Sequence, residues 1–203
     1  MEFLSRAAGN PGRLGILPGS FNPPTRAHLG LAEAALAEMD QVVLVLPRNF
    51  PHKNYADADF DQRARMLQVS AGSHPHLSAA TSEGGLFHEI AQECRAAYGT
   101  DAQLALVCGW DAADRFVTWD YGVPHAIDRM LEGFQLLVAS RPGPYKPPAH
   151  LRRRIRTLAM PDDLGAISAS EVRRRVRAGL AWEHLVPQAI VPMVREIYRP
   201  PAT

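Results

Sequence analysis

Residues 14–28 read Leu14-Gly15-Ile16-Leu17-Pro18-Gly19-Ser20-Phe21-Asn22-Pro23-Pro24-Thr25-Arg26-Ala27-His28. The first four form a short apolar run that Pro18-Gly19 stops, the pattern of a buried strand. From Ala27 to Met39 the apolar residues recur at helical spacing among strong helix formers. Thr25, preceded by Pro24, suits the N-cap of that helix. A buried strand thus turns through glycine and proline directly into a capped helix, the opening half of a βαβ unit.

The same alternation continues outward. Val42–Leu46 (VVLVL) is an uninterrupted apolar run, as expected of a parallel strand covered on both faces. Phe60–Ala71 and Leu86–Tyr98 read as helices, Leu77–Ala80 as a weak strand, and Leu104–Cys108 and Phe134–Ala139 as buried strands. Helical pieces occupy 111–132. The basic segments Ala149–Leu158 and Ser170–Arg177 read as helices, and Pro187–Tyr198 as a terminal one. Strands alternating with helices predict an α/β fold with a mainly parallel sheet and helices on both faces. Right-handed crossovers then gather the strand-to-helix loops at the carboxyl edge of the sheet. The expectation is a single domain over 1–203, with a C-terminal helical part from about 149 packed on it.

Composition narrows the function classes. The 203 residues carry 22 Lys and Arg against 21 Asp and Glu, a formal net charge of +1, so bulk charge does not select a partner. Two cysteines, Cys94 and Cys108, without a C-x-x-C, argue against a disulfide framework or a thiolate zinc site. With no long apolar run and no signal-like N-terminus, a cytoplasmic protein without a membrane partner is expected.

The turn between first strand and first helix carries the chemistry. A helix start presents unpaired N–H groups and a positive dipole end, which suit a phosphate. Gly19 allows close approach of the backbone, with Ser20 beside it. Thr25 and His28, three residues apart, project from the same helical turn. An imidazolium there donates a hydrogen bond to a phosphate oxygen and offsets developing charge. Taken singly, Thr25 is equally a cap and His28 an exposed helical residue.

The segment resembles the Gly-x-Phe-[Asp/Asn]-Pro-x-[His/Thr]-x-x-His signature of the nucleotidylyltransferase superfamily, in the form found in pyridine-nucleotide adenylyltransferases. Thr25 stands where many members have a first histidine, and Ala27 where many have glycine. Ile167-Ser168-Ala169-Ser170-Glu171-Val172-Arg173 is similar to the family's Ile-Ser-[Ser/Thr]-[Ser/Thr]-x-[Ile/Val]-Arg element, with Ala169 departing from it. By its position Ser170 reads as an N-cap, with Arg173 one turn on. Pro51-His52-Lys53, Arg63, Gly109-Trp110-Asp111, Phe116-x-Thr118-Trp119 and Arg141-Pro142-Gly143 also match family segments, in order.

The resemblance implies a Rossmann-like fold and transfer of AMP from ATP to a pyridine mononucleotide. It implies His28, Thr25, Lys53 and Arg173 as catalytic. It assigns Gly19, Ser20, Phe21, Gly109, Asp111, Ile167, Ser168 and Ser170 to the nucleotide, and Asn22, Trp119, Gly84, Gly85 and Arg141 to the acceptor. Mg²⁺ is expected to arrive with ATP rather than on a protein cage. Where bacterial relatives carry Arg-x-Gly-x-Ser-Tyr-Thr, a stretch that helps recognise a nicotinate carboxylate, this chain has Thr81-Ser82-Glu83-Gly84-Gly85-Leu86-Phe87. Gly84-Gly85 at a helix start is expected to offer N–H groups to an anion instead.

Other signals read as structural. His74-Pro75-His76 lacks further ligands at metal spacing, and the cysteines read as core. The runs 152–156 and 173–177 hold four arginines each, and their rival reading is a stripe binding RNA phosphates. Near-zero net charge and the lack of interleaved aromatics favour a solvated face beside a triphosphate pocket.

Overall fold

The computed structural model describes residues 1–49, 57–139 and 145–199. Seven strands form one sheet in the order β1-β4-β3-β2-β5-β6-β7. They are β1 (Glu2–Ser5), β2 (Arg13–Pro18), β3 (Gln41–Pro47), β4 (Leu77–Ser82), β5 (Gln103–Gly109), β6 (Gln135–Ala139) and β7 (Ile155–Leu158). All neighbours pair in parallel except β1, which runs antiparallel to β4. The helices are α1 (Arg26–Leu36), α2 (Phe60–Ala71), α3 (Phe87–Tyr98), α4 (Trp110–Thr118), α5 (Ala126–Gly133), α6 (Ala169–Arg177) and α7 (Val191–Ile197).

The sheet is buried on both faces, which is why β3 is apolar without alternation. Leu14, Ile16, Val43, Val45, Leu104 and Leu106 point into one layer with α3. Leu44, Leu46, Ala105, Val107 and Leu137 point into the other, against α1 and α2. A third cluster joins α6 and α7 to Met66 of α2. The chain therefore returns from the far edge of the sheet to cover the helices beside β3. Cys94 and Cys108 lie in the first layer, where burial pushes the Cys108 thiol up to about 12 and that of Cys94 up as well.

Three sequence-based assignments change. The polar leader contains β1, whose four residues show only weak alternation and whose partner lies more than 70 residues away. Ala149–Leu158 is not a helix: a 3₁₀ turn at Ala149–Leu151 leads into β7, the edge strand. Ile155 and Leu158 are buried there while Arg156 and Thr157 face solvent, so sheet packing overrides the helix preference of arginine. The terminal helix is shorter, a 3₁₀ turn at Gln188–Ile190 preceding α7.

β2 is the point where the order reverses. The chain adds β3 and β4 on one side and then β5, β6 and β7 on the other. Ligands of open α/β sheets bind in the crevice at the carboxyl ends of the two strands flanking such a point. Ile16 pairs with Leu106, so Gly19 and Gly109, each three residues on, leave the sheet side by side.

The start of α1 is pressed against the segment leading to α6. A Cβ on Gly30 would lie 2.2 Å from Cδ1 of buried Leu164. Gly30→Val is expected to lower stability by about 1–3 kcal/mol through overpacking, read as a drop in the urea midpoint without a change in slope.

Candidate active site

Thr25 is the N-cap of α1 in extended conformation, as its position predicts, and is fully buried. Its hydroxyl lies 3.4 Å from the His28 amide, which donates to it. The Thr25 amide in turn donates to His28 Nδ1 at 3.0 Å, with the Thr25 hydroxyl 2.8 Å from the same nitrogen. This reciprocal pair is a capping box in which histidine takes the place of the usual glutamate. An amide can only donate, so Nδ1 accepts and the ring proton sits on Nε2. In this arrangement Nε2 is the ring nitrogen left to donate.

Behind the imidazole stands Phe21, fully buried, its ring centroid 5.1 Å from that of His28 and edge-on to it. Its φ of +43° lies in the left-handed region that side chains rarely adopt. Gly19 is required where this ring passes: a Cβ would sit 2.9 Å from Phe21 Cζ. The Gly19 amide, expected to face a phosphate, instead donates to the Val45 carbonyl of β3 at 3.0 Å. Asn22, expected at the acceptor, is buried, and its side-chain oxygen accepts from the Tyr198 hydroxyl at 2.5 Å. Phe21 and Asn22 thus shape the loop from within.

The C-terminal motif reaches this loop. Ser168, rather than Ser170, is the N-cap of α6, its hydroxyl accepting from the Glu171 amide at 3.2 Å. Arg173 donates to the Asn22 carbonyl at 2.6 Å, pairs through Nε with Asp57 at 2.9 Å, and lies 3.5 Å from the Ser170 hydroxyl. Ile167 is buried in the layer below. Two segments some 150 residues apart in sequence thereby converge, bringing a guanidinium and an imidazole to one loop.

Across the crevice, Gly109 is the N-cap of α4, with Asp111 exposed in its first turn. Trp119 ends α4 and is 51% exposed, which suits a stacking surface better than core packing. Ten residue steps along α4 separate it from Gly109 by about 15 Å at 1.5 Å per residue. Lys53 and Arg141 lie outside the described residues.

The Gly84-Gly85 expectation fails. Glu93 accepts from the amides of Gly84 at 2.9 Å and Glu83 at 3.3 Å. Glu89 accepts from those of Gly85 at 3.0 Å and Leu86 at 2.9 Å. The cradle for an anion exists, and the chain's own carboxylates fill it. Glu89, three residues past the cap position, was legible as half of a capping box, whereas Glu93 was not.

Arg63 and Tyr198 are the other contributors that composition and spacing underweight. Arg63, 4% exposed, donates to the Ser20 carbonyl at 3.1 Å. Among the described residues no three His, Cys, Asp or Glu side chains converge as a metal site, and no helix is long and apolar enough to cross a membrane. The arginine runs are partly matched internally. Glu171 binds both Arg174 and Arg175, which hold its carboxyl at about 2, and Arg156 pairs with Glu38. Arg177 pairs with Asp57.

Residues 16–175 match the family model described as cytidylyltransferase-like. The chain belongs to that family. It is 31% identical to a protein named "Probable nicotinate-nucleotide adenylyltransferase" from Moorella thermoacetica, across 94% of this chain and 93% of that one. A protein of the same name from Bordetella pertussis is 32% identical, across 92% and 98%. Among solved structures, Plasmodium falciparum nicotinic acid mononucleotide adenylyltransferase complexed with APC superimposes with a TM-score of 0.68 at 15% identity, covering 92% of this chain and 96% of that one. Its NaAD complex gives 0.66. The Rossmann-like α/β fold of the family is thereby shared, and the chain is a nucleotidyltransferase.

Burial alone pushes the Glu93 carboxyl up, but the amides of Gly84 and Glu83 and the Met1 ammonium, 2.9 Å away, outweigh it and leave it below its ordinary 4.5. Its stabilisation is therefore complete above pH 4.5 and is lost as pH falls through the lowered folded value. The thermal midpoint of the wild type is expected to fall more steeply than that of Glu93→Gln between about pH 6 and 3. Parallel curves would show that the carboxylate does not hold the 83–84 turn.

Proposed function

We propose that the protein transfers AMP from ATP to the 5′-phosphate of a pyridine mononucleotide, forming the dinucleotide and pyrophosphate in NAD biosynthesis. The observation that carries this reading is the convergence of an oriented imidazole N–H, a helix N-terminus and Arg173 at the crevice between β2 and β5. Relatives named for this reaction support it over nearly the whole chain.

In this mechanism a phosphate oxygen of the acceptor attacks the α-phosphorus in line. The new P–O bond forms as the bond to the α,β-bridging oxygen breaks, and that oxygen leaves with pyrophosphate. The loop offers no nucleophile of its own, so no covalent enzyme intermediate forms. Catalysis is positioning and charge stabilisation. His28 donates from Nε2 to the oxygens where charge accumulates, Thr25 keeps that donor aimed, and Arg173 and Lys53 hold the outer phosphates, with Ser168 and Ser170 beside them. Asp111 orients the adenosine, and Trp119 stacks on the pyridine ring. The donor set of amide, imidazole and guanidinium binds anions, which fits Mg²⁺ carried by the triphosphate and water rather than by protein carboxylates. Bound to the phosphates, it neutralises their charge. A cytoplasmic setting follows from such substrates.

The filled cradle favours one acceptor. With Glu89 and Glu93 on the amides of residues 83–86, a ring carboxylate placed there meets like charge instead of donors. A neutral carboxamide does not, so with the ring substituent at this turn, where the resemblance puts it, nicotinamide mononucleotide is the favoured substrate of the two.

Pyrophosphate release with ATP or CTP, against nicotinate mononucleotide, nicotinamide mononucleotide and phosphopantetheine, tests both readings. ATP with a pyridine mononucleotide is expected to be productive, with kcat/KM for the nicotinamide form at least equal to that for nicotinate. No release with either pyridine acceptor would sink the assignment, and a clear preference for nicotinate would sink the choice between them. In the productive assay His28→Ala is expected to lower kcat by about 10²–10³, the usual loss for one transition-state donor. An unchanged kcat would make His28 only a cap.

A further inference from the structure

Residues 20–22 of the phosphate loop are held from three directions. Arg63 of α2 donates to the Ser20 carbonyl, and Arg173 of α6 to the Asn22 carbonyl. From the end of α7, Tyr198 donates its hydroxyl to the Asn22 side-chain oxygen, with both residues buried. Between the anchored carbonyls sits Phe21, the residue with φ of +43°. A conformation of that kind persists only where its surroundings over-determine it. The Phe21 ring in turn lies against Gly19 and the edge of His28.

The two arginines have other work. Arg63 also donates to the Asp59 carbonyl, and Arg173 is paired with Asp57. The Tyr198 hydroxyl meets Asn22 alone among its hydrogen bonds to described residues. Burial pushes the phenol well above its ordinary value, so it stays an O–H donor throughout the working pH range. A residue 176 positions away is thus bonded to the turn that carries the imidazole.

We propose that Tyr198 is a positioning residue of the transferase: through Asn22 it holds Phe21 in its left-handed conformation and so fixes the direction in which His28 donates. The inference rests on the reading of this loop as the phosphate cradle. It makes the residue that ends α7, remote from the crevice in sequence, part of the machinery by way of one hydrogen bond.

Tyr198→Phe removes the hydroxyl and keeps the ring, and Asn22→Ala breaks the same bond from the other side. Each is expected to lower kcat by about 10- to 100-fold, the cost of a small misplacement of a catalytic group, with a smaller change in KM for ATP. The double variant should be no slower than the slower single one, since both lose one interaction. Val194→Ala, a cavity in the same helix, should lower the thermal midpoint while keeping kcat. Ring ¹⁵N shifts of His28 should move in Tyr198→Phe and stay in Val194→Ala, a readout independent of turnover. Wild-type kcat in Tyr198→Phe, an equal loss of kcat in Val194→Ala, or unmoved His28 shifts would overturn the positioning role. A wild type that releases no pyrophosphate would overturn the transferase reading, while the ring shifts would still decide the role of Tyr198.

Discussion

A backbone amide donating to an imidazole, Thr25 N–H to His28 Nδ1 at 3.0 Å, is the contact on which the site depends. The bond is local to one helical turn, yet it does two things at once. It satisfies a donor at the helix start, where donors otherwise lack partners. It also assigns a ring proton to Nε2, so one contact both caps the helix and orients the ring. Glutamate at that position would cap as well, but it would put a negative charge at the start of α1 where histidine places a ring N–H.

The sheet supplies the place for this turn to act. Because strand order reverses at β2, the loop after it and the start of α4 after β5 face each other across the crevice. Packing then fixes the loop from below: Phe21 fills the space that Gly19 leaves, and the Gly19 amide is tied to β3. The return of α6 and α7 from the far edge adds Arg173 and Tyr198, which both bind Asn22. The loop is thus tied to β3, α2, α6 and the end of α7 by contacts from outside itself.

Charge is managed by the same economy of partners. Asp57 stands on Arg173 and Arg177, Glu171 on two further arginines, and Glu89 and Glu93 on the amides at 83–86. These internal carboxylates satisfy cations and amides that would otherwise be open to solvent. A basic stripe in the sequence therefore becomes a partly paired surface. A glycine pair suited to an anion becomes a cradle already occupied.

Much of the architecture was legible in residues 14–139, since buried parallel strands must be continuously apolar and the helices between them must be amphipathic. Thr25 as cap and His28 beside it were equally legible, because helical periodicity alone places residues three apart on one turn. Tertiary structure decided the rest. Residues 155–158 became an edge strand because β6 offered a partner, against the local preference of the arginines. The Gly19 amide went to Val45, the Asn22 side chain to Tyr198, and the Gly84 amide to Glu93. Each of those groups could have met a ligand as readily as the chain itself. Which one it met depends on contacts between distant segments, and these follow from how the layers pack rather than from any spacing along the chain.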